Sequence, residues 1–316
     1  MTASLSSLLL FGALSPLERL YYDVPTNASA RAHLAYLTSE AHVAGTPGDL
    51  KMAHYVQAAF ERYGIESRIE AVPVLLNYPV SRSLELLDGS GRMTPLAEDV
   101  VPSDPTSDSW WRNHTFNGYG PSGTATAPIV YANYGRPEDF AVLSAAGVEV
   151  RGRLVLARYG ECFRGLKVMN AQQRGAVGVL LYSDPAEDGE AKGDVYPSGP
   201  WRPPSGVQRG SVQFNSLCAG DPSRAYLNSS TLDACGYHEK ELTPSIPTQP
   251  LSYADAYPLL ADMAASTPAP ASFVGGLPLP KGYRLGPSIH AARLGVLNRE
   301  VRSCRIQIWT QAGFRS

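Results

Sequence analysis

The sequence lacks the residue patterns from which metal sites and activated nucleophiles are usually built. None of its six histidines lies in an H-x-D, H-E-x-x-H or H-x-x-E-H pattern, and no two glutamates are adjacent. Those spacings bring zinc ligands and a general base together. A G-x-S-x-G nucleophile elbow is also missing. We therefore expect no catalytic residue and no metal ligand within these 316 residues.

Charge and long apolar runs are equally scarce. The formal net charge is -2 and no Lys/Arg-rich run occurs, which argues against a nucleic-acid partner. The apolar run from Leu5 to Leu14 is far shorter than the roughly 20 residues of a membrane span, and no basic segment precedes it. This run fits the remnant of a signal or an anchor as well as it fits a helix packed on a domain.

Cysteine is rare, and its four positions form no C-x-x-C pair. Cys218 and Cys235 are close enough in sequence for a disulfide, although two buried free thiols fit equally well. Three N-x-[ST] sequons, at Asn27, Asn113 and Asn228, are compatible with a glycoprotein of the secretory pathway.

The composition that remains is that of a folded protein with room for two domains, because 44% of the residues are hydrophobic and 18% are charged. Apolar residues at helical spacing between Thr46 and Gly64 predict a helix at about 47–63. Strands are predicted at 67–76 and 82–87, followed by a polar loop at 94–127.

The middle of the chain alternates strands and helices. Strands are predicted at 129–134, 153–159 and 177–182, with helices at 137–146, 165–174 and, later, 253–265. Because the three strands are mainly apolar, without polar alternation, they predict an α/β fold with a parallel sheet that is covered on both faces. Pro258 is expected to interrupt the last helix, at a cost of roughly 3 kcal/mol outside the first turn.

The loop after the second of these strands holds the polar residues best suited to a ligand. The run 158–165 (RYGECFRG) lies at the carboxyl end of a predicted parallel strand, where open α/β sheets bind ligands. Arg164 could present its guanidinium to a carboxylate, or it could tie the loop to a neighbouring acid. A G-x-G-x-x-G match at 118–123 is interpreted as a loop, because a strand follows it instead of preceding it.

Eight segments of the chain match a known family in their order along the sequence. They are HVAGTPGD (42–49), VLLNYP (74–79), YANYGRPEDF (131–140), GRLVLARYGECFRGLKVMNAQQRGAVGVLLYSDPAEDG (152–189), GVQRGSV (206–212), AGDP (219–222), TPSIPTQPLSYADAYPLLADM (243–263) and LPKGYRLGPS (279–288). These segments resemble the glutamate carboxypeptidase II family, also called N-acetylated-α-linked acidic dipeptidases, which is related to the transferrin receptors. The sequence and spacing of these segments resemble the plant and algal members more than the animal enzymes.

The resemblance implies a protease-associated (PA) domain with a mixed or parallel sheet and flanking helices, plus an incomplete segment of a zinc-peptidase α/β domain. The implied divisions are an N-terminal tail at 1–29, a first peptidase segment at 30–95, a PA domain at 100–270, a Pro/Gly-rich connector at 271–288 and a divergent tail at 289–316. By the same resemblance, we expect a location in the secretory pathway or at a membrane.

The resemblance also implies roles for two residues. Arg164 takes the position of the family arginine that binds a substrate carboxylate, and Ser211 the position of an asparagine that holds the same end of the substrate in animal enzymes. The family's calcium segment is replaced by 223–227 (SRAYL), so no calcium is expected. The family's substrates are acidic peptides, its cofactor is zinc, and it dimerises through a C-terminal domain that these segments do not include.

After Ser288 the sequence departs from the family's course toward its H-R-D zinc-ligand motif. We therefore expect a chain truncated before the zinc ligands, inactive alone, whose strands within 67–87 lack partners and are poorly ordered. Three interpretations stay open: an inactive fragment of a carboxypeptidase-like protein, a PA domain that acts as a binding module, and an incorrectly predicted gene product of the full peptidase.

Overall fold

The computed structural model describes residues 14–223 and 235–310. The chain divides into two compact units, at Met1–Ala41 and His42–Ser316. In the first unit, α1 (Pro16–Asp23) and α2 (Asn27–Leu37) contain no buried residue. Reciprocal hydrogen bonds between Ser15 and Glu18 cap the start of α1, so local capping supports a helix that has little packing.

The second unit is built on strands and helices that alternate through its middle. Its strands are β1 (Ser67–Leu86), β2 (Asn117–Gly118), β3 (Gly123–Tyr131), β4 (Leu154–Arg158), β5 (Gly178–Tyr182), β6 (Gly210–Ser211), β7 (Thr248–Leu251) and β8 (Ala291–Thr310). Its helices are α3 (Pro47–Arg62), α4 (Pro137–Ala145), α5 (Arg164–Gln173), α6 (Pro185–Asp188) and α7 (Tyr253–Ala261). Short 3-10 turns lie at Pro105–Ser107, Trp110–Asn113, Glu190–Lys192, Glu239–Glu241 and Ala271–Phe273.

A six-stranded mixed sheet forms the centre of this unit, in the order β1–β8–β3–β4–β5–β7. β3, β4, β5 and β7 run parallel, and β8 runs antiparallel to both β1 and β3. Every residue of β4, β5 and β7 is buried, as expected for parallel strands that are covered on both faces. The predicted α/β fold with a mixed or parallel sheet is confirmed. β2 and β6 form a separate parallel pair.

The expectation that the strands within 67–87 lack partners is wrong. They form one continuous strand, β1, which pairs along its length with β8 from the segment after Ser288. The register shifts between Pro79 and Ser81. Because β1 is an outer strand of the sheet, a residue without an N–H is tolerated there at a bulge. The last predicted segment therefore supplies an inner strand of the sheet.

The segment 271–288 packs against the core. Phe273, Tyr283 and Leu285 are each at most 5% exposed, and the Tyr131 amide donates to the Leu285 carbonyl. The buried carboxylate of Asp184, just after β5, accepts hydrogen bonds from the Ala186 and Gly276 amides and from the Tyr182 and Tyr283 hydroxyls. This carboxylate fastens the segment to the end of the sheet.

Helix α7 continues through Pro258 instead of breaking there. Ala256, Leu259 and Leu260 are at most 1% exposed, so the helix buries nearly a full apolar face beside the proline. Burial of the two leucine side chains contributes about 1.5–3 kcal/mol each, which is enough to offset the hydrogen bond that Pro258 cannot make. The predicted interruption is wrong for this reason.

Candidate functional site

Arg164 stands at the first position of α5, directly after the loop that follows β4. The loop turns sharply, with a φ of 105° at Gly160 and 62° at Glu161. Glycine adopts such angles freely, whereas a glutamate there is strained. The turn brings Phe163 to the N-cap of α5 and places Arg164 at the carboxyl edge of the parallel strands, as the sequence predicts.

The guanidinium of Arg164 lies over the backbone of Gly210 and beside two aromatic rings. Its Cζ is 5.5 Å from the ring centroids of Tyr159 and Phe163. Burial raises the pKa of Tyr159 to about 12, against the opposing effect of the Arg164 charge. The Tyr159 hydroxyl donates to the carbonyl of Gln208 at 2.8 Å, which fixes the ring under the guanidinium.

No acidic side chain in the described part of the chain forms an ion pair with Arg164. Its Nε atom is buried and has no hydrogen-bond partner. A buried guanidinium nitrogen without an acceptor costs free energy and is uncommon in folded proteins. Of the two interpretations that the sequence left open, the described contacts do not show the neighbouring acid that would tie Arg164 to the protein.

Two glycines make this placement possible. A Cβ on Gly165 would lie within 3.0 Å of the backbone oxygens of Gln213 and Val212, and a Cβ on Gly210 would lie within 2.8 Å of three guanidinium atoms of Arg164. Neither glycine has a positive φ, so the requirement is for space and not for an unusual backbone conformation. The start of α5 and strand β6 can therefore approach closely.

Ser211 follows Gly210 in β6, so the structure brings both sequence-predicted binding residues to the same corner. The Ser211 hydroxyl accepts a hydrogen bond from the Gln213 amide at 3.1 Å. It keeps the capacity to donate one proton to a ligand oxygen. The binding roles of Arg164 and Ser211 stay predictions.

Sequence reasoning singled out the run that begins at Arg158, but it missed the polar cluster that this arginine forms beneath the loop. Arg158 donates to Asn133 Oδ1 at 2.8 Å and to the Ser272 carbonyl, pairs with Glu187 at 3.4 Å, and lies 4.1 Å from the centroid of the Tyr134 ring. The Tyr134 hydroxyl is hydrogen-bonded to Glu187. Burial first, and then the bond to Glu187, raise the pKa of Tyr134 to about 12. Arg158 is thus fully engaged within the protein.

Lys167 is the second residue that the sequence reasoning missed. It is 1% exposed and donates from Nζ to the carbonyls of Tyr134 and Gly160, each at 2.6 Å. Burial lowers its pKa below the ordinary lysine value. A signal for it exists in the sequence, because Lys167 falls beside Val168 and Ala171 on the stripe of α5 that faces the core.

The described residues do not fit a zinc site, since no three His, Cys, Asp or Glu side chains among residues 14–223 and 235–310 converge on one point. Asp221, in the AGDP segment, accepts hydrogen bonds from the amides of Leu75 and Ser223. Of the replaced calcium segment, residues 224–227 lie outside the described residues.

The remaining sequence predictions concern processing. Cys218 and Cys235 form a disulfide, which decides between the two alternatives left open for them. Asn27 and Asn113 are exposed, while Asn228 lies outside the described residues. Within the described ranges, no helix has the length and apolar character to cross a bilayer.

The sequence of this chain is similar to those of several known proteins. The sequence profile of the PA domain matches residues 125–213. A probable glutamate carboxypeptidase of Arthroderma benhamiae is 43% identical over 216 residues, covering 66% of this chain and 29% of the relative. A glutamate carboxypeptidase 2 homolog of Caenorhabditis elegans is 33% identical over 294 residues, covering 88% of this chain and 38% of the relative. The chain thus spans about a third of the length of these relatives.

Solved structures resemble the chain more distantly. A peptidase M28 precursor from Shewanella amazonensis has a TM-score of 0.48 at 13% identity, over 92% of this chain and 52% of that one. An aminopeptidase from an Aneurinibacillus strain has a TM-score of 0.45 at 16% identity, over 88% of this chain and 46% of that one.

Proposed function

We propose that the PA domain of this chain binds the carboxylate end of an acidic peptide. The proposal draws on the similarity of this chain to glutamate carboxypeptidases over the stretch that it shares with them. In this proposal the PA domain serves a zinc-dependent peptidase, and the zinc is held by residues other than those described. The observation that supports it is Arg164, a cation at a strand's carboxyl edge with a buried Nε and no acidic partner in the described chain.

The geometry suits a carboxylate better than other ligands. A guanidinium offers paired N–H donors that match the two oxygens of a carboxylate. Arg164 lies at the N-terminus of α5, where the helix dipole also favours negative charge. The adjacent Ser211 hydroxyl can add one further donor. A shorter side chain than asparagine at this position predicts weaker selection for glutamate over other acidic residues.

The direct test is a titration of the purified chain with glutarate, followed by NMR, with neutral glutaramide as the matched ligand. We expect binding of glutarate only, with a dissociation constant of roughly 5–80 mM, because one charged contact without a zinc centre contributes about 1.5–3 kcal/mol. Arg164→Ala should weaken glutarate binding about tenfold or more, whereas Arg92→Ala, at an exposed position of the 88–95 loop, should not change it. Equal affinity for glutarate and glutaramide in the unmodified chain would refute the proposal.

We also propose that the protein passes through the secretory pathway. The Cys218–Cys235 disulfide is typical of oxidising compartments, and exposed sequons at Asn27 and Asn113 can accept glycans. Expression in a eukaryotic secretory system should give a product whose mass falls on treatment with an N-glycosidase. A product of unchanged mass would count against this part of the proposal.

A further inference from the structure

Lys167 is a buried ammonium whose partners are backbone carbonyls. Its side chain is 1% exposed, and no carboxylate of the described residues pairs with it. The charge is instead held by the carbonyl oxygens of Tyr134 and Gly160, each 2.6 Å from Nζ. A buried charge of this kind persists only where its hydrogen bonds offset the loss of hydration. Lys167 therefore joins the two segments whose carbonyls it binds.

Those two segments are the loops that follow neighbouring parallel strands. Tyr134 lies in the loop after β3, and Gly160 lies in the loop after β4 that leads to Arg164. Lys167 itself stands one helical turn after Arg164 in α5. The loop after β3 is thus connected to Arg164 by a short series of contacts. The Tyr134 carbonyl binds the Lys167 ammonium, and Lys167 lies one helical turn from Arg164.

Other contacts hold the same loop, but each is weaker on physical grounds. Glu161 pairs with Arg136 at 3.5 Å at the surface, where ion pairs contribute little. The Cys162 thiol donates to the Tyr134 carbonyl at 3.7 Å, and a thiol is a weak donor. The two ammonium bonds are buried and charge-assisted, which makes them the strongest of the set.

We propose that Lys167 is a positioning residue for the carboxylate site: by joining the loops after β3 and β4, it holds Arg164 over Gly210, without touching the ligand. This inference rests on the proposed function for its ligand, but the placement of Arg164 is testable without any ligand. The guanidinium of Arg164 lies at the end of a long side chain, so it is misplaced when the loop after β4 shifts. Shifts of about 1 Å are enough to weaken a binding site strongly.

The ligand-free readout is the Nε–Hε cross-peak of Arg164 in a ¹H–¹⁵N spectrum, assigned by its loss in Arg164→Ala. We expect Lys167→Met to shift this peak or to speed its exchange with solvent, because the methionine keeps the apolar stem and removes the ammonium. Lys192→Met, at an exposed position, is the matched control and should leave the peak in place. Circular dichroism establishes that each variant is folded.

A second variant remains informative if Lys167→Met does not fold. Glu161→Gly removes the surface ion pair and relieves the strained φ, and it leaves Lys167 intact. If the ammonium holds the loop, Arg164 keeps its cross-peak in Glu161→Gly. A displaced peak in that variant, or an unmoved peak in folded Lys167→Met, overturns the inference.

The ligand readout separates this inference from the proposed function. In a folded Lys167→Met chain, glutarate binding should weaken about tenfold, and adding Lys167→Met to Arg164→Ala should have no further effect, since the lysine acts through the arginine. Failure of the unmodified chain to bind glutarate refutes the proposed function, while the cross-peak still decides the role of Lys167. Equal losses in the presence and absence of Arg164 would show a merely structural role.

Discussion

Gly210 and Gly165 both border Arg164, and alanine at the two positions should have opposite consequences. At Gly210, the added methyl group meets the guanidinium of Arg164, within 2.8 Å of three of its atoms. That group is the far end of a flexible side chain and can rotate away. At Gly165, the methyl group meets the carbonyl oxygens of Gln213 and Val212 within 3.0 Å, and these oxygens belong to the backbone.

The expected magnitudes follow from what must move. Gly210→Ala should change the free energy of unfolding by less than about 1 kcal/mol, because only a side chain is displaced. It should nevertheless weaken glutarate binding by about 10- to 100-fold, the equivalent of losing about 1.5–3 kcal/mol of charge-assisted hydrogen bonding. Gly165→Ala should lower the free energy of unfolding by about 1–3 kcal/mol through overpacking, less a helix-propensity gain of up to about 1 kcal/mol.

Urea denaturation measures the free energy of unfolding and NMR titration measures glutarate affinity. Both are carried out on the unmodified chain, on Gly210→Ala and on Gly165→Ala. Gly147→Ala is unsuitable as a control because its φ is positive, whereas Gly118 has a Cβ position with ordinary contacts at 3.6 Å or more. Gly118→Ala should therefore preserve both stability and binding. If Gly210→Ala binds glutarate as tightly as the unmodified chain, Arg164 does not hold the carboxylate from the position described.

Three further changes test other parts of the structure. Replacing Cys218 and Cys235 by serine should lower the free energy of unfolding by about 3 kcal/mol, as expected for a loop of this length, and urea denaturation with and without reductant should show it. Asp184→Asn should cost about 3 kcal/mol or more in the same assay, because an amide cannot accept all four hydrogen bonds of the buried carboxylate; a loss below 1 kcal/mol would contradict the assigned fastening role. In the folded protein the pKa values of Tyr134 and Tyr159 are raised to about 12. Their contribution to the free energy of unfolding is therefore complete below pH 10 and is lost as the pH rises through 12. Absorbance at 295 nm should show phenols that ionise late and only with unfolding.

The parallel part of the sheet could be predicted because its strands report their own environment. Apart from Arg158, residues 154–158 and 178–182 carry no charged side chain, which is the pattern of strands covered on both faces, and the helix between them begins and ends close to its predicted limits. The helix predicted at 47–63 is observed at Pro47–Arg62 for the same reason: proline at its start and glycine after its end are local signals.

The strands β1 and β8 could not be predicted in the same way. The sequence predicts two short strands, at 67–76 and 82–87, with Pro79 between them, and an outer position with a bulge reconciles this proline with one long strand. The partner of β1 lies at the far end of the chain, and its sequence departs from the family wording. Pairing between segments so distant leaves no local pattern. Lys167 was missed for a related reason: a lysine is expected in water unless the carbonyls that hold it are known.

The pairing of β1 with β8 also imposes an order of events on a ribosome. β1 emerges early, and about 200 residues must be added before the strand that covers its inner edge is made. At translation rates of about 5–20 residues per second, this delay is about 10–40 s. The parallel strands have all their neighbours much sooner. The newly made chain therefore carries an open strand edge on β1 while the parallel strands are already paired, and β8, made long after β1, is the strand that joins β1 to them.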